Sequence, residues 1–244
     1  MTRNIIISLI SGVIGGIIAV FFFPLISGNL ITNLTSSING NNSHIVQKEI
    51  IRILNNDEAI SSLTEDTSES IVLVRALSHS KVIRFGTGIL LTREVIATTG
   101  NVVPSNATSV DVTIGEKKET AKIVLRDYKK NIVLISIDQV DRPIVTFSKS
   151  DNLNVGKFGY LIGEYLDNSG NALLFSQQGL LSRSINGNFL IDTKYSNDVS
   201  GTPMVEMNGN VLGLVYISKG EIILIPAEEI KTVFEGYSNS INNE

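Results

Sequence analysis

Along most of this chain, apolar residues come in short runs separated by Gly, Asn, Asp, Ser and Pro. From Ile71 the runs are Ile71–Arg75, Lys81–Phe85, Gly88–Leu91, Val95–Thr98, Ser109–Ile114, Thr120–Arg126, Ile132–Ile137, Phe158–Ile162, Leu173–Leu181, Phe189–Asp192, Val211–Ile217 and Glu221–Ile225. They recur at intervals of roughly 8 to 12 residues, the rhythm of an all-β barrel or sandwich. Helical signals flank them. Asp57–Thr64 carries acids in its first turn. Pro226 opens a short helix, about Ala227–Phe234, at a favoured first-turn position. The polar tail Ser238–Glu244 reads as frayed.

The N-terminal pattern is different. Ile5–Ile26 is almost wholly apolar, and its length of about 20 residues matches a bilayer core crossed as a helix. Arg3 precedes it and no basic residue follows until Lys48. That asymmetry predicts a single-pass anchor with a cytoplasmic N-terminus and the rest of the chain outside the cell membrane. No A-x-A-like cleavage site follows, which argues against a removed signal peptide. Asn29–Ser43, rich in Asn, Ser, Thr and Gly, reads as a tether. The expected organisation is an anchor over 1–27, a tether and lead-in over 28–55, a β domain over 56–236 and a disordered tail over 237–244.

Composition narrows the function. The net charge of -4 gives no basic footprint for nucleic acid. Two His and no Cys make a zinc site an unpromising reading, and no metal or cofactor is expected. Absence of Cys excludes a disulfide framework but leaves an extracytoplasmic location open.

The stretch with chemical content is Asn197-Asp198-Val199-Ser200-Gly201-Thr202-Pro203, followed by the apolar run Met204–Tyr216. A hydroxyl residue before glycine on a tight turn is how a serine nucleophile is presented, with backbone N–H groups near it lining an oxyanion hole. Ser-Gly in an ordinary turn is common, so context must decide.

Four segments supply that context. Gly86-Thr87-Gly88-Ile89-Leu90-Leu91 and Ile96-Ala97-Thr98-Thr99-Gly100-Asn101-Val102-Val103 form the first. Ala121-Lys122-Ile123-Val124 through Asp127, with Asn131-Ile132-Val133-Leu134-Ile135, forms the second. The third is Gly156 through Gly163. The fourth is Asp192 through Pro203 with Val211-Leu212-Gly213-Leu214. In this order they resemble the trypsin-like serine proteases, in particular the membrane-anchored HtrA (Deg) branch, from about Asp57 to Phe234. The resemblance implies two packed β-barrels with a cleft between them. It places the family's serine on Ser200, its histidine on Asn101 and its aspartate on Asn131. The oxyanion-hole glycine falls on Asp198, the hole's other donor being Ser200 itself, and the glycine after Ser200-Gly201 falls on Thr202.

Two of these substitutions remove the base. A serine hydroxyl needs a proton acceptor within hydrogen-bond reach, and an Asn amide is not one. Loss of a triad His costs on the order of 10⁶ in turnover, and Asp to Asn alone roughly 10⁴. Asp198 adds a β-carbon and a negative charge beside the hole. The expectation is therefore a catalytically inactive homologue that takes a peptide or unfolded protein segment in the inter-barrel cleft and is held at the membrane through Ile5–Ile26. The alternative is an active membrane-bound serine endopeptidase using Ser200 with a rearranged base, drawn from His79, Lys194, Lys129 or Lys130. A homo-oligomer is compatible with the sequence, which specifies none.

Overall fold

The structure is a computed structural model that describes residues 57–149, 153–167, 169–185, 187–194 and 199–242. The expected anchor Ile5–Ile26 and the tether lie outside the described residues. Among the described residues no helix is long and apolar enough to cross a membrane. Residues from Ala59 onward form one compact unit, and it is that unit which carries the β structure.

Residues 57–68 are helical (α1). The first barrel is built from β1 (Ile71–Ser78), β2 (Lys81–Leu90), β3 (Val95–Thr99), β4 (Ser109–Ile114), β5 (Lys117–Asp127) and β6 (Ile132–Ser136). It closes in the order β1-β2-β3-β6-β5-β4. The second is built from β7 (Phe158–Leu166), β8 (Ala172–Ile185), β9 (Asn188–Asp192), β10 (Pro203–Val205), β11 (Val211–Ser218) and β12 (Glu221–Pro226). It closes as β10-β11-β12-β9-β8-β7. The paired strands are antiparallel, as the short connections demand. Helix α2 (Ala227–Asn242) follows β12 directly.

Strand alternation explains the near-continuous apolar runs. In β1, Val72, Val74 and Ala76 fill the first barrel with Leu90, Ile96, Val112 and Ile135. Ile71 instead faces a layer shared by both barrels, with Ile89, Ala97 and Leu134 from the first and Ile162, Val205, Val211 and Leu214 from the second. The interior of the second barrel holds Leu161, Leu181, Met204, Val215 and Leu224. A strand buried on both faces needs apolar residues at every position, and Ile132-Val133-Leu134-Ile135 is one.

The structure corrects three expectations. The runs Lys81–Phe85 and Gly88–Leu91 are one strand, β2. Gly86 and Gly88 do not break it; they admit close neighbours, since a Cβ on Gly86 would lie 2.5 Å from both the Ser200 carbonyl oxygen and Val102 Cγ2. The expected strand pattern also lacked β10, a buried three-residue strand that opens with proline, a position where the missing N–H is tolerated. Finally, α2 does not stop at Phe234, and the expected tail is helical as far as Asn242. The cause is an apolar stripe that continues past Phe234: Tyr237 packs with Ile230, Val233 and Phe234 against the inter-barrel layer.

Candidate active site

Asn101 and Asn131 are brought together by the pairing of β3 with β6. The ladder ends at Thr99↔Ile132, and one rung further Gly100 N donates to Asn131 O at 3.1 Å. Gly100 has no side chain at the point where Asn131 Oδ1 would lie 2.6 Å from a Cβ. The turn after β3 is fixed by Val102 N and Val103 N, both donating to Thr99 O at 3.0 and 3.1 Å. Both valines are buried in the first barrel. On the other side, Asp127 Oδ1 accepts from Lys129 N and Lys130 N, each at 3.0 Å. Asn131 then takes φ 57°, a left-handed conformation that Asn tolerates better than most residues.

The result is a chain of two amides. Asn131 Nδ2 donates to Asn101 Oδ1 at 2.9 Å, and Asn101 Nδ2 donates to the Ile217 carbonyl of β11 at 2.9 Å. All three groups are neutral, so the half-buried pair leaves no charge to compensate. No proton can be taken up along it at any useful pH.

Ser200 sits on a turn between β9 and β10 that is held from both barrels. Thr87 N donates to Ser200 O at 3.2 Å, Gly201 N to Val215 O at 2.7 Å, Val215 N to Thr202 O at 2.9 Å and Thr202 N to Val199 O at 3.1 Å. Gly201 has φ 79°, and a Cβ there would lie 1.9 Å from the Thr87 carbonyl oxygen. A buried cluster of hydroxyls backs the turn. Thr98 Oγ1 donates to Thr87 O at 2.8 Å, and Thr202 Oγ1 to Thr87 Oγ1 at 3.5 Å. Thr87 Oγ1 also accepts from Glu164 N at 3.0 Å. Ser200 is only 2% exposed.

Both halves meet on one edge of β11. Val215 O accepts from Gly201 N and Ile217 O accepts from Asn101 Nδ2. Two residues of strand separate these carbonyls, a spacing of about 7 Å. The arrangement thus gathers Asn101, Asn131 and Ser200 at one place between the barrels. Asp198 lies outside the described residues.

The substitute bases weighed from sequence lie on exposed or half-buried turns and bends. His79 lies at the exposed tip of the β1–β2 turn with φ 49°, and its Nδ1 is 3.1 Å from Ser78 Oγ. Lys129 and Lys194 are exposed. Glu164 was not singled out from sequence. Burial pushes its carboxyl above the ordinary value, with Arg142 pulling the other way. Only its backbone is bonded to Thr87, and the sequence signal, an acid within an apolar strand, marks burial rather than chemistry. Tyr216, on β11 beside the site, is likewise raised by burial and then by Glu229.

A cavity of about 610 Å³ opens beside Ile217, lined also by Arg183, Leu190, Asp192, Thr193 and Ile222. Arg183 pairs with Glu221 at its rim, Nη2 to Oε1 3.3 Å.

Comparison with known proteins agrees with this architecture. Residues 86–214, more than half of the chain, match the Trypsin-like peptidase domain family. A probable periplasmic serine endoprotease DegP-like of Pseudomonas fulva is 28% identical over 134 residues, covering 53% of this chain and 28% of that protein. Its counterpart in Chlamydia trachomatis is 27% identical over 139 residues, covering 53% and 27%. The chain therefore spans less than a third of the length of these relatives. Among solved structures, a serine endoprotease of Yersinia pestis superposes with a TM-score of 0.63 at 19% identity, over 73% of this chain and 66% of that one. A protease of M. tuberculosis in its active form gives 0.60 at 21%, over 70% and 81%. These structural likenesses concern the fold alone. By its barrels, its motif order and the match over residues 86–214, the chain belongs to the Trypsin-like peptidase domain family, and the curated relatives it resembles are DegP-like.

Proposed function

We propose that this chain is a catalytically inactive HtrA-type homologue that binds extended peptide segments of unfolded proteins, outside a membrane to which Ile5–Ile26 anchors it. One observation carries the loss of catalysis: the two positions of the acid–base pair hold amides bonded to each other and to a backbone carbonyl. Neither can accept the Ser200 proton. Asp198 works against an oxyanion in any case. Peptide binding needs none of this machinery. A strand edge in the cleft supplies main-chain hydrogen bonds, and the cavity beside Ile217 has room for a side chain. The relatives described as periplasmic support an extracytoplasmic location.

A fluorophosphonate probe tests the catalytic half. The full-length chain is expected to stay unlabelled under conditions that label active trypsin to completion. Labelling of the wild-type chain that disappears in Ser200→Ala would overturn the reading and restore the endopeptidase alternative. The anchor is tested separately: the chain is expected to stay in the membrane pellet after alkaline carbonate extraction. Release of a shortened protein beginning near Ser27 or Gly28 would make the segment a signal peptide instead.

A further inference from the structure

Strand β11 offers one backbone rung to the cleft beyond the end of β10. Val215 turns both its N–H and its C=O away from β12, towards Thr202 and Gly201. Alternation along a strand then sends the N–H and C=O of Ile217 the same way. The pairing with β10 runs only from Val205↔Val211 to Pro203↔Leu214, so among the described residues no strand reaches Ile217 on that edge. Its carbonyl is nevertheless taken, by Asn101 Nδ2 at 2.9 Å. A primary amide carries the donor and the acceptor of a peptide group. Asn101 uses both, its Oδ1 accepting from Asn131 Nδ2 at 2.9 Å. It stands where the N–H of an added strand would stand.

The side chain is also the part of its turn that can leave. The backbone of that turn is held without it, by Val102 and Val103 bonded to Thr99 O and buried in the first barrel. Arg126 secures the following loop through the carbonyls of Pro104, Ser105 and Ala107. Rotation of Asn101 therefore breaks two hydrogen bonds and disturbs no packed element.

We infer that Asn101 is an autoinhibitory latch: it occupies the Ile217 rung of β11, and an extended peptide segment pairs there only by displacing the amide. The inference rests on the peptide-binding reading above and adds a closed ground state to it. An incoming peptide N–H replaces the Asn101 donor on Ile217 O, so wild type gains nothing at this rung and loses the bond between Asn101 and Asn131.

The test is fluorescence anisotropy with fluorescein-labelled casein as the unfolded probe, on the full-length chain in detergent. Asn101→Ala is expected to bind about tenfold tighter than wild type, the worth of a net hydrogen bond no longer broken on binding. Asn131→Gly keeps the positive φ and removes only the donor that orients Asn101. It is expected to bind about threefold tighter, and it carries the test alone if Asn101→Ala does not fold by circular dichroism. Equal affinity in wild type and variants overturns the latch and leaves peptide binding standing. Weaker binding by the variants also overturns it, since Asn101 would then hold the ligand. No binding by any of these proteins overturns the latch together with the peptide-binding reading.

Discussion

Asn101→His combined with Asn131→Asp is expected to give peptide hydrolysis about 10³-fold above the same protein carrying Ser200→Ala. The backbone needed for this is in place. The two side chains already meet at 2.9 Å, a distance at which a carboxylate accepts the Nδ1–H of an imidazole. The other ring nitrogen then belongs to the cleft side, towards the edge of β11 where Gly201 is bonded. Asn101→His alone is expected to restore little. The amide of Asn131 donates towards position 101, so it favours an imidazole that presents an acceptor there and carries its proton on the wrong nitrogen. Asn131→Asp alone restores nothing, because no base is present. The activity of the double variant should rise with pH through about 6.5 or slightly above, since the imidazole works as a base only when neutral and the carboxylate beside it raises its pKa. Adding Asp198→Gly should give the largest gain, because one oxyanion donor is worth roughly 2.7–4 kcal/mol. The measurement is cleavage of an unfolded protein with the product ends mapped. If wild type cleaves and Ser200→Ala does not, a base other than this pair is at work and the inactive reading falls.

The place where Asn101 and Asn131 meet could be read from sequence, because these positions sit at the ends of strands whose patterns are strong. Asn101 and Asn131 follow and precede buried β runs, and the pairing of β3 with β6 leaves them no choice but to meet. What the pair does with its hydrogen bonds was not legible. Nothing in Thr99-Gly100-Asn101 says that the amide ends on Ile217, which is 116 residues away. The misread elements have the same origin. Gly86 and Gly88 look like a break, since a sequence cannot distinguish a glycine that turns the chain from one that admits a neighbour. The neighbours here, Ser200 O and Val102 for one and Ile96 and Val74 for the other, come from different strands and turns. Pro203–Val205 is too short to show alternation, and it is a strand because β7 and β11 flank it. Local pattern gave the barrels; close approach between segments decided the rest.

Gly201→Ala is expected to destabilise the protein by about 4 kcal/mol, and Gly209→Ala by only about 1 kcal/mol. The two glycines have nearly the same backbone, φ 79° and 81°, so the conformational cost of a β-carbon is common to both. Their surroundings differ. Around Gly209 nothing lies within 4 Å of the new atom, whereas at Gly201 it would meet Thr87 O at 1.9 Å and Thr98 Oγ1 at 2.7 Å. Thr87 cannot withdraw cheaply. Its N–H holds Ser200 O, its carbonyl holds the Thr98 hydroxyl, and its own hydroxyl is bonded to Glu164. Relief therefore means breaking the fastening between β2 and the Ser200 turn, which is also where the two barrels meet. Urea denaturation followed by circular dichroism measures both losses in one series. Equal losses would mean that the turn yields to the new methyl group, and that the strands around it do not hold Ser200 rigidly. A much larger loss in Gly201→Ala would give the Ser200 turn a structural task, that of joining the barrels through Thr87.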